Sequence, residues 1–149
     1  MRRLITGIDS DGRSCVIRET EIARREPAVD IHSVFMTHGS PPPTRPPGRA
    51  EYQDVDVHPG QVHWLVSYWA AGEETPLHHT DTLDFAIVLD GSMDLLLDDG
   101  AHRLERNDCV VIAGVDHGWR AGPDGATMSI ALLGTPAPKV RRLGIRRRH

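Results

Sequence analysis

The chain has 149 residues, with 17 Lys and Arg against 21 Asp and Glu, nine His and a formal net charge of −4. That is one domain's worth of sequence, enough to bury roughly two thirds of its unfolded surface in a single core. An acidic body excludes a general nucleic-acid binder. With no run of about 18 apolar residues and no leader-like segment after Met1, the expectation is a soluble, cytoplasmic protein without a membrane partner.

Residues 3–8 and 14–18 have the pattern of two strands, joined by Asp9-Ser10-Asp11-Gly12-Arg13, whose Asp-Gly step favours a hairpin turn. Residues 20–25 have room for a helical turn or two, but they meet Pro27 and carry no sustained apolar stripe. Residues 40–48, Ser-Pro-Pro-Pro-Thr-Arg-Pro-Pro-Gly, form a loop, because proline fixes φ and withdraws a backbone donor. Strand signals then recur at the spacing of a sandwich or barrel, over 61–69, 83–89, 93–97, 102–104, 109–113 and 127–133. Asp90-Gly91, Asp98-Asp99-Gly100, Asn107-Asp108 and Gly122-Pro123-Asp124-Gly125 punctuate them. Met93, Leu95 and Leu97 fall on one face, a period near two.

The expected fold is therefore all-β: an N-terminal β extension over 1–55, a barrel over 56–136 and a basic tail over 137–149. The tail holds Lys139, Arg141, Arg142, Arg146, Arg147 and Arg148, and no function is assigned to it. Cys15 and Cys109 have no C-x-x-C companion and are expected as ordinary reduced thiols.

Two segments carry the chemistry. The first runs His78-His79-Thr80-Asp81-Thr82-Leu83-Asp84 and leads to Gly91; the second is Gly114-Val115-Asp116-His117-Gly118-Trp119. Their order resembles the two motifs of the cupin superfamily, G-x5-H-x-H-x3 or 4-E-x6-G and G-x5-P-x-G-x2-H-x3-N. Asp84, with six residues between it and Gly91, takes the place of the glutamate. His117 and Gly114 fit the second motif, whose asparagine is absent. One histidine of the first pair is missing: His78 is followed by Thr80 in one spacing, and His79 is preceded by Leu77 in the other. The stretch from Leu77 to Phe85 is similar to a His-Arg-Thr-Asp-Thr version found in small single-domain cupins, with His79 in place of the arginine. The resemblance implies a double-stranded β-helix, the jelly-roll or cupin barrel, around a small-molecule site.

Alternation along a strand sorts the candidates. His78, Thr80, Thr82 and Asp84 share a face with the small Ala86 and Val88, which suits a cavity wall. His79, Asp81, Leu83 and Phe85 share the other with the bulky Ile87 and Leu89, which suits a second sheet or a subunit interface, so a homodimer is expected. His78, Asp84 and His117 are the inward set. Two imidazoles and a carboxylate suit one divalent transition metal, iron, zinc, nickel or manganese. Without a metal, Asp84 or His117 can serve as catalytic acid or base once burial moves its pKa toward neutrality.

An alternative set, His79-x-Asp81 with His117, needs a bulge to turn that face inward. His63, on a neighbouring strand, is a candidate for the missing ligand; Thr80 occupies its place, and Trp119 is a candidate pocket wall. The resemblance implies a small-molecule enzyme, with lyase, isomerase, cyclase or dioxygenase chemistry on an organic acid, ketone or aromatic substrate. The competing class is a non-catalytic binding barrel that lost its metal when the second histidine became Thr80.

Overall fold

Nine strands form in the computed structural model, which describes residues 1–23, 33–35 and 48–138. They are β1 (Arg2–Ile8), β2 (Ser14–Glu21), β3 (Glu51–Tyr52), β4 (Val62–Trp69), β5 (His78–His79), β6 (Thr82–Leu97), β7 (Gly100–Glu105), β8 (Cys109–Ile112) and β9 (Gly118–Gly134). No helix occurs among the described residues, so none is long and apolar enough to cross a membrane. Of the helical-turn candidate, Thr20 and Glu21 belong to β2 and Ile22 and Ala23 follow it without regular structure, while residues 24 and 25 lie outside the described residues. Nearly all of the proline-rich stretch, residues 40–47, and most of the basic tail, residues 139–149, lie outside the described residues.

The sheet runs β2-β1-β8-β6-β9-β4, with β7 also on β6. The two long strands set the architecture. The start of β6 pairs with β8 and with the end of β9, whereas its end pairs with β7 and with the start of β9. The register between β6 and β9 shifts at Val88/Asp90 and at Gly91/Met93, where both strands bend from one sheet into the other. The separate strands expected at 83–89 and 93–97 are thus one strand, and Asp90-Gly91 lies at an irregularity within it rather than at a break between strands. Gly91 has φ 70 and Gly125 has φ 76. A Cβ on Gly91 would collide with the Gly125 carbonyl, so the backbones cross where neither side chain exists.

Between the two sheets lies the core. Ala86 and Val88 of β6, Leu4 of β1, Val110 and Ile112 of β8, and Met128 of β9 meet Met93, Leu95 and Leu97 from the far half of β6, with Leu104 and Trp119. The expected inward face is observed, since Thr80, Thr82, Asp84, Ala86 and Val88 are all buried and Leu89 on the other face is exposed. A second apolar cluster covers the outer side of β6 and β8, where Phe35 lies 5.8 Å from Phe85.

The expected N-terminal hairpin is present. Asp9 Oδ1 accepts the backbone N–H groups of Asp11 and Arg13, and Gly12 takes the left-handed turn position. Its first strand joins the barrel sheet, since β1 pairs in parallel with β8. At its start the Arg2 N–H donates to Asp108 Oδ1 (2.6 Å) and its guanidinium to Asp108 Oδ2 and Glu19. Cys15 and the buried Cys109 are free thiols. A Gly91→Ala substitution combines a left-handed φ with a backbone collision, so it should cost about 2 kcal/mol or more of stability. Denaturant unfolding of the two proteins checks this.

Candidate functional site

One end of the barrel interior is polar. Along the start of β6 the hydroxyls of Thr80 and Thr82 lie 2.7 Å apart, and the Thr82 O–H donates to Asp84 Oδ1 (2.5 Å). Alternate residues of a strand point to one side, so a T-x-T-x-D run places three polar groups in file along the inner wall. Asp84 is only 5% exposed. Burial drives its pKa up to about 7, and the Thr82 hydrogen bond opposes the rise without cancelling it.

The two motif histidines come together by backbone pairing. His78 and His117 exchange N–H···O=C bonds of 2.9 Å in an isolated antiparallel bridge, which sets their rings 4.5 Å apart between centroids. Neither ring is free to turn. His78 Nδ1 is 3.0 Å from the Pro76 carbonyl, and His117 Nδ1 is 2.8 Å from the Val115 carbonyl. A carbonyl only accepts, so each Nδ1 carries the hydrogen and each neutral ring keeps Nε2 as its acceptor. Trp119 packs edge-on to His117 at 6.1 Å. His117 is buried, which lowers its pKa to about 4; His78 and His79 push the same way, against the Val115 hydrogen bond.

His79 points elsewhere. Its Nδ1 lies 3.5 Å from Asp116 Oδ1, and both atoms are buried without a hydrogen-bond partner. The other Asp116 oxygen accepts the Arg49 N–H at 2.8 Å. A strap over residues 48–53 passes above this pair: β3 runs parallel to β5, Tyr52 lies 5.6 Å from His79, and any side chain at Gly48 would strike Asp116 and His79. A cleft of about 330 Å³ opens between Glu51, Tyr52 and Gln53 of the strap and the Thr75 to His78 segment. It leads to His78.

The structure thus unites His78 with His117 and Trp119, and Asp84 with Thr80 and Thr82, but does not merge the two groups. Among the described residues no three His, Cys, Asp or Glu side chains converge as a metal ion requires. The ligand set His78, Asp84 and His117 therefore does not fit a shared metal in this geometry. Nor does the set of His79, Asp81 and His117, since His79 turns toward Asp116 under the strap. His63 is exposed on β4 opposite Leu132, and Asp81 is half-buried beside the barrel mouth, where its carbonyl accepts the Thr135 N–H. Sequence reasoning passed over Asp116, although its place next to His117 in a motif of buried residues was a signal.

Known proteins supply a family context. The chain is 30% identical over 128 residues to a cupin-domain-containing oxidoreductase, fogC, of Aspergillus ruber, covering 78% of this chain and 62% of that protein. Both motifs, the inward T-x-T-x-D wall and the bent jelly-roll strands agree with that name. The barrel is a cupin barrel. The cupin is also 38% identical over 93 residues to phomopsin biosynthesis cluster protein C' of Diaporthe leptostromiformis, covering 62% of this chain and 42% of that one. It therefore spans about half the length of the curated relatives it matches.

Among solved structures it resembles a sugar phosphate isomerase of the cupin superfamily from Silicibacter pomeroyi, at TM-score 0.45 and 24% identity over 51% of this chain and 52% of that one. It also resembles an RmlC-like cupin from Shewanella frigidimarina, at TM-score 0.45 and 19% identity over 49% and 66%. No family model matches the chain.

The two shifted groups give the cupin's stability opposite pH dependences. Asp84 is raised, so its contribution is full below the ordinary carboxylate pKa of 3.8 and is lost as pH rises to about 7. His117 is lowered, so its contribution is full above 6.5 and is lost as pH falls to about 4. Relative to wild type, Asp84→Asn should gain stability as pH rises from 4 to 7, and His117→Asn should gain it as pH falls over the same window. Urea unfolding at several pH values reads both slopes.

Proposed function

We propose that this cupin is a small-molecule enzyme that moves a proton within an organic substrate, in isomerase, cyclase or lyase chemistry. The observation that carries the reading is the facing pair of imidazoles, His78 and His117, each with Nδ1 tied to a backbone carbonyl and Nε2 left as an acceptor. Between about pH 4 and pH 7 a neutral His117 and a protonated Asp84 coexist in one barrel interior. Environments that separate a base from an acid in this way are those of general acid–base catalysis. In this scheme His117 accepts a proton from carbon, His78 shares the contact with the substrate, and Asp84 returns a proton through the Thr82 and Thr80 hydroxyls. The cleft beside Tyr52 admits a small molecule. Relatives named for phomopsin and oryzines biosynthesis support a substrate of the specialised-metabolite kind.

Deuterium uptake from D2O into a panel of small ketones and 2-oxo acids, followed by proton NMR, tests the reading. Wild type should exchange at least one of them, and His117→Asn should slow that exchange about 100-fold or more. Asp84→Asn should remove the loss of rate near pH 7. Equal exchange by wild type and His117→Asn would refute the assignment.

A second reading rests on the same Nδ1 tethers, which are also how metal-bound histidines are oriented, and on the oxidoreductase name of one relative. It requires a third donor beyond the two imidazoles. Metal analysis of protein purified without chelator separates the readings: a transition metal held by wild type and lost in His78→Ala and His117→Ala supports the second.

A further inference from the structure

The cleft beside the strap has Glu51 and Gln53 on one side, Thr75, Pro76 and Leu77 on the other, and His78 at its inner end. The β3–β5 pairing decides which side chains face it. In a parallel pair, residues in register point to the same side of the sheet. Tyr52 stands in register with His79, and their ring centroids lie 5.6 Å apart on one side. Glu51, in register with His78, therefore shares the other side with that imidazole, the side on which His78 meets His117.

The charge around this cleft has one sign. Among the described residues that line it there is no Lys or Arg, and Glu51 is the one carboxylate. Two basic residues adjoin the walls, and both are committed elsewhere. The Arg49 guanidinium donates to the Asp11 carbonyl and its backbone N–H to Asp116, while Arg120 pairs with Asp94 at 3.0 Å and with Glu74 at 3.8 Å. Burial, with the charges of Asp81 and Asp54, raises the Tyr52 phenol above its ordinary value, so these neighbours add to the field of Glu51 rather than cancel it.

We propose that Glu51 is a specificity-determining residue of this cleft: it selects a small molecule whose outer end is cationic, an ammonium or amidinium, and excludes carboxylates. Such a group gives Glu51 charge-assisted N–H bonds, and the facing Pro76 and Leu77 keep part of the field out of bulk water. Glu51 is itself exposed, so the discrimination is several-fold rather than of several orders of magnitude. An organic acid fits neither way round. With its carboxylate outward it meets Glu51, and with its carboxylate inward it meets the acceptor Nε2 atoms of His78 and His117. Amines and neutral ketones are thus within reach, and 2-oxo acids are not. The inference rests on the proton-transfer reading for the reacting carbon at the inner end; the charge preference itself is a property of binding.

Benzamidine, benzamide and benzoate have nearly one shape and differ in charge, so they isolate that preference. NMR titration of the full chain at neutral pH gives a dissociation constant for each, and shifts of the His78 ring signals, assigned with His78→Gln, place the probe in this cleft. Wild type should bind benzamidine about five-fold tighter than benzamide, and benzoate about five-fold more weakly still. Glu51→Gln should bring benzamidine and benzamide within about two-fold of each other, and Glu51→Lys should make benzoate the tightest of the three. Far-UV circular dichroism checks that both variants fold. If one does not, wild type alone decides, since its preference for benzamidine should fall as salt rises to about 0.5 M. Benzoate bound as tightly as benzamidine by wild type, a preference unchanged in folded Glu51→Gln, or no probe bound at about 10 mM overturns the proposal. Because no turnover enters these constants, a missing deuterium exchange would remove the proton-transfer reading and leave the charge selection standing.

Discussion

The pairing of β6 with β9 is the constraint on which the rest of the molecule depends. It holds from Thr82↔Gly134 to Leu96↔Gly118 and passes through two register shifts, so one pair of strands serves both sheets. Closure follows from the crossing of Gly91 and Gly125, where backbone meets backbone. The apolar positions before and after the bend then face one another, Val88 and Met128 on one side, Met93 and Leu95 on the other. Because only Thr80 and Asp81 separate His78-His79 from β6 and β9 starts immediately after His117, the same pairing brings both histidine segments to one end of the barrel.

That end is built against the ordinary preferences of its groups. A carboxyl and a histidine, both buried inside a closed wall, favour their neutral forms. Each is held by short-range bonds that keep its orientation: a hydroxyl for Asp84, a carbonyl for His117. The orphaned His79 and Asp116 atoms under the strap belong to the same economy of burial, since only the absent side chain of Gly48 lets the strap lie so close. Elsewhere the buried Asp94 has two guanidinium partners, Arg103 and Arg120, as a structural acid ordinarily does. Asp84 instead accepts the neutral hydroxyl of Thr82.

Much of this was legible in the residues. Period-two alternation placed Thr80, Thr82 and Asp84 inside and Leu89 outside, and the Asp-Gly step at Asp11-Gly12 marked a true hairpin. The same dipeptide at Asp90-Gly91 misled, because local turn chemistry does not reveal that the strands on either side share one partner, β9. Alternation also says which way a side chain faces but not how far along the barrel it sits. His78, Asp84 and His117 were therefore grouped as one ligand set, whereas the fold gives Asp84 to the threonines. The role of Asp116 depends on a strap whose docking is a tertiary event, and no local pattern announces it.

The parallel pairing of β1 with β8 has a consequence for how the chain reaches this state. Arg2 and its anchor Asp108 are 106 residues apart, so β1 has no partner on its β8 side until most of the barrel sequence has followed it. Until then the hairpin of β1 and β2 presents an open edge, and closing such a distant contact is slow. The β1–β8 contact closes late, and the interval before it closes is when this sheet is most exposed to mispairing.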